Sequence, residues 1–425
     1  MRKRKTNIFA GIDWVLVLFY LVFLFLGWIN IYAASVSDTD TDILNFGTIY
    51  GKQLTYIGFS FVLILVIISI DSKFYERFAG IFYIFSLLTL VGLFLFGTTV
   101  NGATSWYSLG SASLQPSEFT KAATALALAN YLSEPNTDLN TLKSQVRAFL
   151  IIFLPAVLIV LQPDAGSALI YVSLLFVLYR EGLPAYYLII GIAAIILFLI
   201  TLYFGLLKSI VAVFSVVSLF FIYLYKSKKI SLGKEWYKML GMYMIIGGFI
   251  FSVNFVFNNV FEQRHRDRFN IILGKTSDTQ GIGYNTNQSM ITIGSGGLTG
   301  KGFLEGDRTK GNFVPEQHTD YIFSTVGEEW GFLGSTAVIL LFMAFLLRLI
   351  YVAERQKSPF SRIFGYCTAT IFFIHFMINI GMVIGLIPTI GIPLPFFSKG
   401  GSSLWGFTLL LFILIRLDAD RTYEW

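Results

Sequence analysis

Arg264, Arg266 and Arg268 alternate along a segment whose other ionisable groups are His265, Asp267, Lys275, Asp278, Lys301, Glu316, His318 and Asp320. Guanidinium forks match phosphate oxygens, so a pyrophosphate site is one reading of the arginines. A solvated stretch lying against lipid headgroups is the other. Asp278 stands in Thr276-Ser277-Asp278-Thr279-Gln280-Gly281, where a carboxylate is either a turn former or a general base. His318 and Asp320 have the spacing of a metal pair, but no nearby histidine supplies a third ligand. The stretch Gly294 to Gly302 imitates a nucleotide phosphate loop and fails it: Ser295 takes the first required glycine, and Gly302 the required Ser or Thr. Backbone wrapping close to a ligand or another helix accounts better for these glycines.

The elements that must position this chemistry are membrane spans. The 425 residues are 55% hydrophobic and 13% charged with mean hydropathy +0.70, against about 25% charged in soluble chains. Apolar runs long enough to cross a bilayer recur near residues 12–33, 52–70, 76–97, 117–131, 147–162, 166–180, 184–204, 207–225, 238–258, 321–350, 362–388 and 403–416. The fourth, sixth and twelfth are short, so ten to twelve spans are expected. The first is too long, and too poor in small residues at a cleavage site, for a removable signal peptide.

Lysine and arginine in the short connections set the orientation. Arg2 to Lys5, Lys73 and Arg77, the lysines 226–238, Arg348 to Arg362, and Arg416 with Arg421 all fall on one side if there are twelve spans. Both termini are then cytoplasmic, and the acidic connection Asp38–Asp42 and the polar loop 259–320 lie outside. The net charge of +6 reflects this orientation, and no soluble basic patch suits a nucleic acid. The single cysteine, Cys367, lies in an apolar span, which excludes an internal disulfide.

Ionisable groups inside spans are costly and face a bundle interior or a watery cavity. Glu118 and Lys121 are three apart behind Pro116, on one helix face, either as a structural ion pair or as the charged floor of an outward cavity. Asp164 in Gln162-Pro163-Asp164 suits a helix cap. His375 and Asn379, four apart, read as an interhelical hydrogen-bonding pair. Trp106 and Tyr107 suit interfacial anchors, although Trp106 could equally stack on a sugar ring.

Taken together, the motifs resemble the SEDS family (shape, elongation, division and sporulation), and its RodA branch in particular. The matching pieces are Asn101-Gly102-Ala103 with Trp106, Gln115-Pro116-Ser117-Glu118 with Lys121, Gln162-Pro163-Asp164 with Gly166, Arg266-x-Arg268, Asp278, Gly281-x-Gly283-Tyr284 and Gln288-Ser289. They continue through Gly294-Ser295-Gly296-Gly297, Gly300-Lys301-Gly302, Pro315-Glu316, His318-Thr319-Asp320-Tyr321, Glu328-Glu329, and Pro393-Leu394-Pro395 to Ser403. Each is weak alone; their order and placement carry the likeness.

The resemblance implies an all-α polytopic membrane protein with one large extracytoplasmic loop, a single domain over 1–425, in the bacterial plasma membrane. It implies a peptidoglycan glycosyltransferase that polymerises lipid II into glycan strands for cell elongation and shape. Asp278 then corresponds to the catalytic aspartate. Trp106, Gln115, Glu118, Lys121, Arg266, Arg268, Tyr284, Gln288, Lys301, His318, Asp320 and Ser398 are the implied substrate contacts. No cofactor is required by the motifs; diphosphate chemistry allows a divalent cation, Mg or Mn, to share the neutralising task. The implied partners are lipid II, the growing strand, a class B penicillin-binding protein and other elongation-complex membrane proteins. Four departures stand out: Ser105 where Arg usually precedes the tryptophan, Thr279 where proline often follows the aspartate, Lys399 where Tyr is common, and two extra helices across 184–237. A flippase for lipid-linked precursors and the FtsW-type division polymerase are the alternatives, the former without the internal symmetry many transporters show.

Overall fold

The computed structural model describes residues 11–36, 45–100, 102–110, 112–227, 232–261, 263–275 and 283–421. Helices dominate, because a backbone inside a bilayer must satisfy its own polar groups. Helix α1 (Trp14–Ser35) starts at Asp13, whose carboxylate accepts from the Leu16 amide at 3.0 Å. Thr48 caps α2 (Ile49–Ser69) and Asp71 caps α3 (Ser72–Phe96) in the same way. There follow α4 (Pro116–Ser133), α5 (Leu142–Val160), α6 (Ala165–Val172) and α7 (Leu174–Arg180). Next come α8 (Tyr186–Phe204), α9 (Leu206–Lys226) and α10 (Leu232–Phe255), which runs into a π turn at Val256–Val260. The polar region then folds into α11 (Gln263–Ile272), α12 (Tyr284–Ser295) and the short α13 (Asp307–Lys310). The chain ends with α14 (Ile322–Glu354), α15 (Pro359–Val383) and α16 (Gly401–Asp420). It divides into two compact units, Met1–Pro184 with Asn285–Trp425, and Ala185–Tyr284.

Among the described residues ten helices are long and apolar enough to cross a membrane. The two expected spans outside that set are α4 and the segment Ala165–Arg180, which breaks at Ser173 into α6 and α7. The reason lies in burial. Helix α4 hides Ser117, Glu118, Thr120, Lys121 and Thr124 together with its alanines, and it packs on α3, α15 and α16. A helix enclosed on all sides needs no lipid-facing apolar stripe. Helix α16, expected to be short, runs 20 residues and is also mostly enclosed.

A second departure is a three-stranded antiparallel sheet, β1 (Thr98–Val100), β2 (Ala103–Leu109) and β3 (Ala112–Leu114), where no strand was expected. Thr98 faces Trp106 across β1–β2, and Tyr107 faces Leu114 across β2–β3. β-Branched and aromatic residues favour such a pleat, and Gly102 (φ 84°) and Gly110 (φ 68°) supply the turns. Tyr107 anchors the sheet by donating from its hydroxyl to Thr89 O at 2.8 Å.

The glycine-rich stretch after α12 docks on α14. Gly331 (φ 65°, ψ −161°) kinks that helix, and a Cβ there would lie 2.2 Å from Gly300 N. Backbone amides of Lys301 and Gly302 donate to Glu328 O and Glu329 O, each at 3.0 Å, while Phe332 N and Leu333 N donate to Gly297 O and Leu298 O at 2.9 and 3.1 Å. Bonds between the two segments thus replace those the kink breaks, and only glycine permits so close an approach.

At the end of the bundle away from the sheet, charges join three helices. Asp13 takes Arg348 and Arg355, each at 2.7 Å. Arg355 also bonds Asp418 (Nε to Oδ1, 2.9 Å), as do Gln356 at 2.8 Å and Arg421 at 2.8 Å. Asp418 is fully buried.

Candidate active site

Pro116 opens α4, where its missing amide costs nothing, and one turn later Glu118 and Lys121 emerge on the same face. Both are buried, and Lys121 Nζ lies 2.7 Å from Glu118 Oε2. A second bond runs from Lys121 Nζ to His375 Nε2 on α15 at 3.0 Å, and the Phe407 ring centroid of α16 lies 5.1 Å away. Helix α16 approaches closely: a Cβ on Gly406 would sit 2.8 Å from Glu118 O. His375 and Asn379 both bond outside their own helix, as the interhelical reading expects. His375 Nδ1 faces Pro393 O at 3.4 Å, and Asn379 donates to Asp320 O at 2.8 Å and Ile392 O at 2.7 Å. The connection between α15 and α16 is therefore held by side chains of α15.

That connection is internally braced. Ser398 Oγ accepts from Leu394 N at 2.9 Å and is buried, so its hydroxyl serves the turn. Phe396 adopts a left-handed φ of 62°, an unfavourable state for an aromatic residue. Its ring contacts with Tyr20 at 5.0 Å and Phe372 at 5.3 Å offset that cost. Above α4, Gln115 N donates to Ser402 Oγ at 3.0 Å and its side chain donates to Asp164 Oδ2 at 3.1 Å. Asp164 meanwhile caps α6 through Ser167 N at 3.0 Å. Trp106 is half-buried in β2.

The remaining candidates fall into separate environments. Lys301 donates to Glu328 Oε1 at 2.8 Å and to Asp307 Oδ2 at 3.2 Å. Its hydrogen bond to Glu328 holds the ammonium above the usual lysine value. Glu328 also accepts from Arg308 N, Thr309 N and Thr309 Oγ1, so this ion pair organises the turn at α13. Gln288 accepts from the guanidinium of Arg308, which also bonds Thr292 Oγ1 at 3.0 Å. Arg308 carries no sequence signal, since its partners Gln288 and Thr292 stand on another element. His318 and Asp320 are half-buried at the start of α14, close to the α15–α16 connection. Tyr284 opens α12 and is half-buried. In the unit Ala185–Tyr284, α11 carries Arg266 and Arg268, both half-buried, with Arg266 Nη1 donating to Asn258 O at 2.9 Å. Asp278 lies outside the described residues. Among the described residues no three His, Cys, Asp or Glu side chains converge.

A family profile described as a cell cycle protein, FtsW/RodA/SpoVE, matches residues 13–232 and 212–423. The chain belongs to the FtsW/RodA/SpoVE family. Its similarity within that family extends along nearly the whole sequence. The peptidoglycan glycosyltransferase MrdB of Escherichia coli K12 is 32% identical over 356 residues, covering 83% of this chain and 81% of that one. The peptidoglycan glycosyltransferase RodA of Treponema pallidum is 32% identical over 447 residues, covering 99% and 100%. The fold is shared with a solved chain from a peptidoglycan synthase complex that coordinates polymerisation and crosslinking (TM-score 0.69, 24% identity, covering 97% of this chain and 99% of that one). As an FtsW/RodA/SpoVE protein with ten such helices, the chain is a multi-pass bacterial membrane protein.

Proposed function

We propose that this chain polymerises lipid II into glycan strands at the outer face of the plasma membrane, with both termini in the cytoplasm. The chain is a peptidoglycan glycosyltransferase of the RodA kind, and one observation carries that conclusion: similarity to enzymes so named over most of its length. Its geometry suits a lipid-linked sugar donor. A groove of about 220 Å³ between α3, α4 and α16 is lined by Tyr75, Phe85, Leu114, Pro116, Phe119 and Ile413. It is apolar along its length and reaches Pro116, whose neighbour Gln115 belongs to the polar end of the bundle. A polyprenyl tail would lie in the groove with its headgroup at that polar end.

The reaction is a single inverting displacement. Asp278 takes the proton of the acceptor's 4-hydroxyl as that oxygen attacks the donor's anomeric carbon. The bond from that carbon to the diphosphate oxygen breaks, and undecaprenyl diphosphate leaves with the electron pair. A positioned base contributes about 10²–10⁴-fold. Arg266 and Arg268 offset the growing negative charge. Lys121 is too enclosed to wrap a phosphate, and two of its three N–H bonds are already given to Glu118 and His375. It contributes as a fixed positive charge buried in the bundle. A class B penicillin-binding protein would cross-link the product, in keeping with the synthase complex whose chain shares this fold.

The test is purified protein with lipid II, alone and with its transpeptidase partner. Polymer is expected with the native chain, and its loss with Asp278→Asn at unchanged expression. Near-native polymerisation by Asp278→Asn removes the base assignment; movement of lipid II between leaflets without polymer removes the enzyme.

A further inference from the structure

Apart from the Glu118–Lys121 pair, positive groups gather at the sheet-bearing end of the bundle. Lys399 closes the α15–α16 connection, and its amide donates to His318 O at 3.0 Å. The next amide, Gly400 N, donates to Gln53 Oε1 at 3.2 Å, which ties this corner to α2. Lys399 is half-buried and, among the described residues, its ammonium forms no ion pair and no hydrogen bond. Lys52 on α2 is exposed and adds a like charge that Lys399 feels. One carboxylate, Glu316, reaches both Lys399 and His318 electrostatically, but it is exposed and already accepts from Thr319 Oγ1 at 3.0 Å.

This balance is uneven. A partly desolvated ammonium without a close partner is costly, and the carboxylate that acts on Lys399, Glu316, is exposed to solvent. Burial pulls Lys399 below the ordinary lysine value, Glu316 opposes that, and Lys52 reinforces it. Burial and the charge of Lys399 likewise hold His318 below the ordinary histidine value of 6.5, so near neutral pH its imidazole is uncharged and offers one N–H. The missing component is negative charge with several acceptor oxygens.

We infer that Lys399, with Lys52 and His318, forms a subsite for a lipid-borne phosphate oxyanion at this end of the bundle. Two sources share that chemistry, the diphosphate of a lipid-linked substrate and the headgroup of an anionic phospholipid. Only the first of these rests on the glycosyltransferase reading. The site takes its phosphate with point charges and so tolerates arginine at position 399.

The experiment begins with inorganic pyrophosphate binding to the purified full chain in neutral detergent, measured by calorimetry. Lys399→Gln is expected to weaken binding about tenfold to a hundredfold, the range for losing a charged hydrogen bond, with Lys399→Arg close to native. Equal affinity in native and Lys399→Gln protein, or no binding by either, overturns the subsite. A second arm measures the KM for lipid II in phosphatidylcholine and in phosphatidylglycerol nanodiscs. A rise of about tenfold in Lys399→Gln in both lipids identifies the substrate diphosphate. A rise only in phosphatidylglycerol identifies the headgroup. Native protein that binds pyrophosphate through Lys399 yet makes no polymer would refute the glycosyltransferase reading and leave the subsite standing.

Discussion

Lys121 Nζ stands 3.0 Å from His375 Nε2, a separation that an ammonium keeps with a neutral imidazole and not with a charged one. The ring nitrogen must accept, so the hydrogen sits on Nδ1 and faces Pro393 O. A chain of polar contacts thereby runs from Glu118 through Lys121 and His375 to the connection that carries Ser398 and Lys399.

The double exchange Glu118→Gln with Lys121→Met separates packing from catalysis. Each single change leaves an uncompensated charge in a buried place and should cost about 3–5 kcal/mol. Together they remove both charges, so most of the stability is expected to return. Polymerisation of lipid II should nevertheless stay about 10²-fold down. Recovery of activity along with the thermal midpoint would make the pair purely architectural.

Asp418→Asn tests the cluster at the other end. The native carboxylate gathers Arg355, Gln356 and Arg421 while fully buried. Neutralising it leaves cations short of a partner, and a loss of about 3 kcal/mol is expected. Thermal unfolding in detergent measures it, and an unchanged midpoint would show that Asp13 alone suffices for Arg355.

His318 gives stability a pH dependence of definite sign. Burial, together with Lys399, sets its folded value below 6.5, the value of the unfolded chain, while Glu316 opposes. Between those two values the unfolded state holds more protons, so this group's contribution is full above about pH 6.5 and falls as pH drops through the folded value. The thermal midpoint of native protein should therefore fall more between about pH 7.5 and about pH 5 than that of His318→Gln. Equal slopes would place His318 in an ordinary solvated setting.

Much of this site is legible in the sequence. The three-residue spacing of Glu118 and Lys121 is enough to put them on one face, and Asp164 before a small-residue run reads as a cap. Hydropathy also located each of the ten long apolar helices among the described residues. It could not show that α4 is enclosed, because a window average treats alanine facing a neighbour and alanine facing lipid alike. The one-turn spacing of His375 and Asn379 marks them as an interhelical pair, which they are, but it cannot name Lys121, 254 positions away, as the histidine's partner. The glycines flanking Lys301 read as backbone close to a ligand or another helix, and the helix is what they meet: Lys301 bonds Glu328 of α14, 27 residues on. The sheet at 98–114 gives no strand signal because β1 and β3 are three residues each, and the seven of β2 set Trp106 beside Tyr107 instead of alternating apolar with polar.

The Asp13–Arg355–Asp418 cluster governs how the bundle can work. Three helices are riveted at one extremity by ion pairs among themselves, whereas toward the other they meet through uncharged bonds such as Gln317 Nε2 to Ala34 O and Lys399 N to His318 O. Any breathing that admits a bulky headgroup and releases a longer strand must then fan outward from a fixed pivot, like a fan opened from its handle.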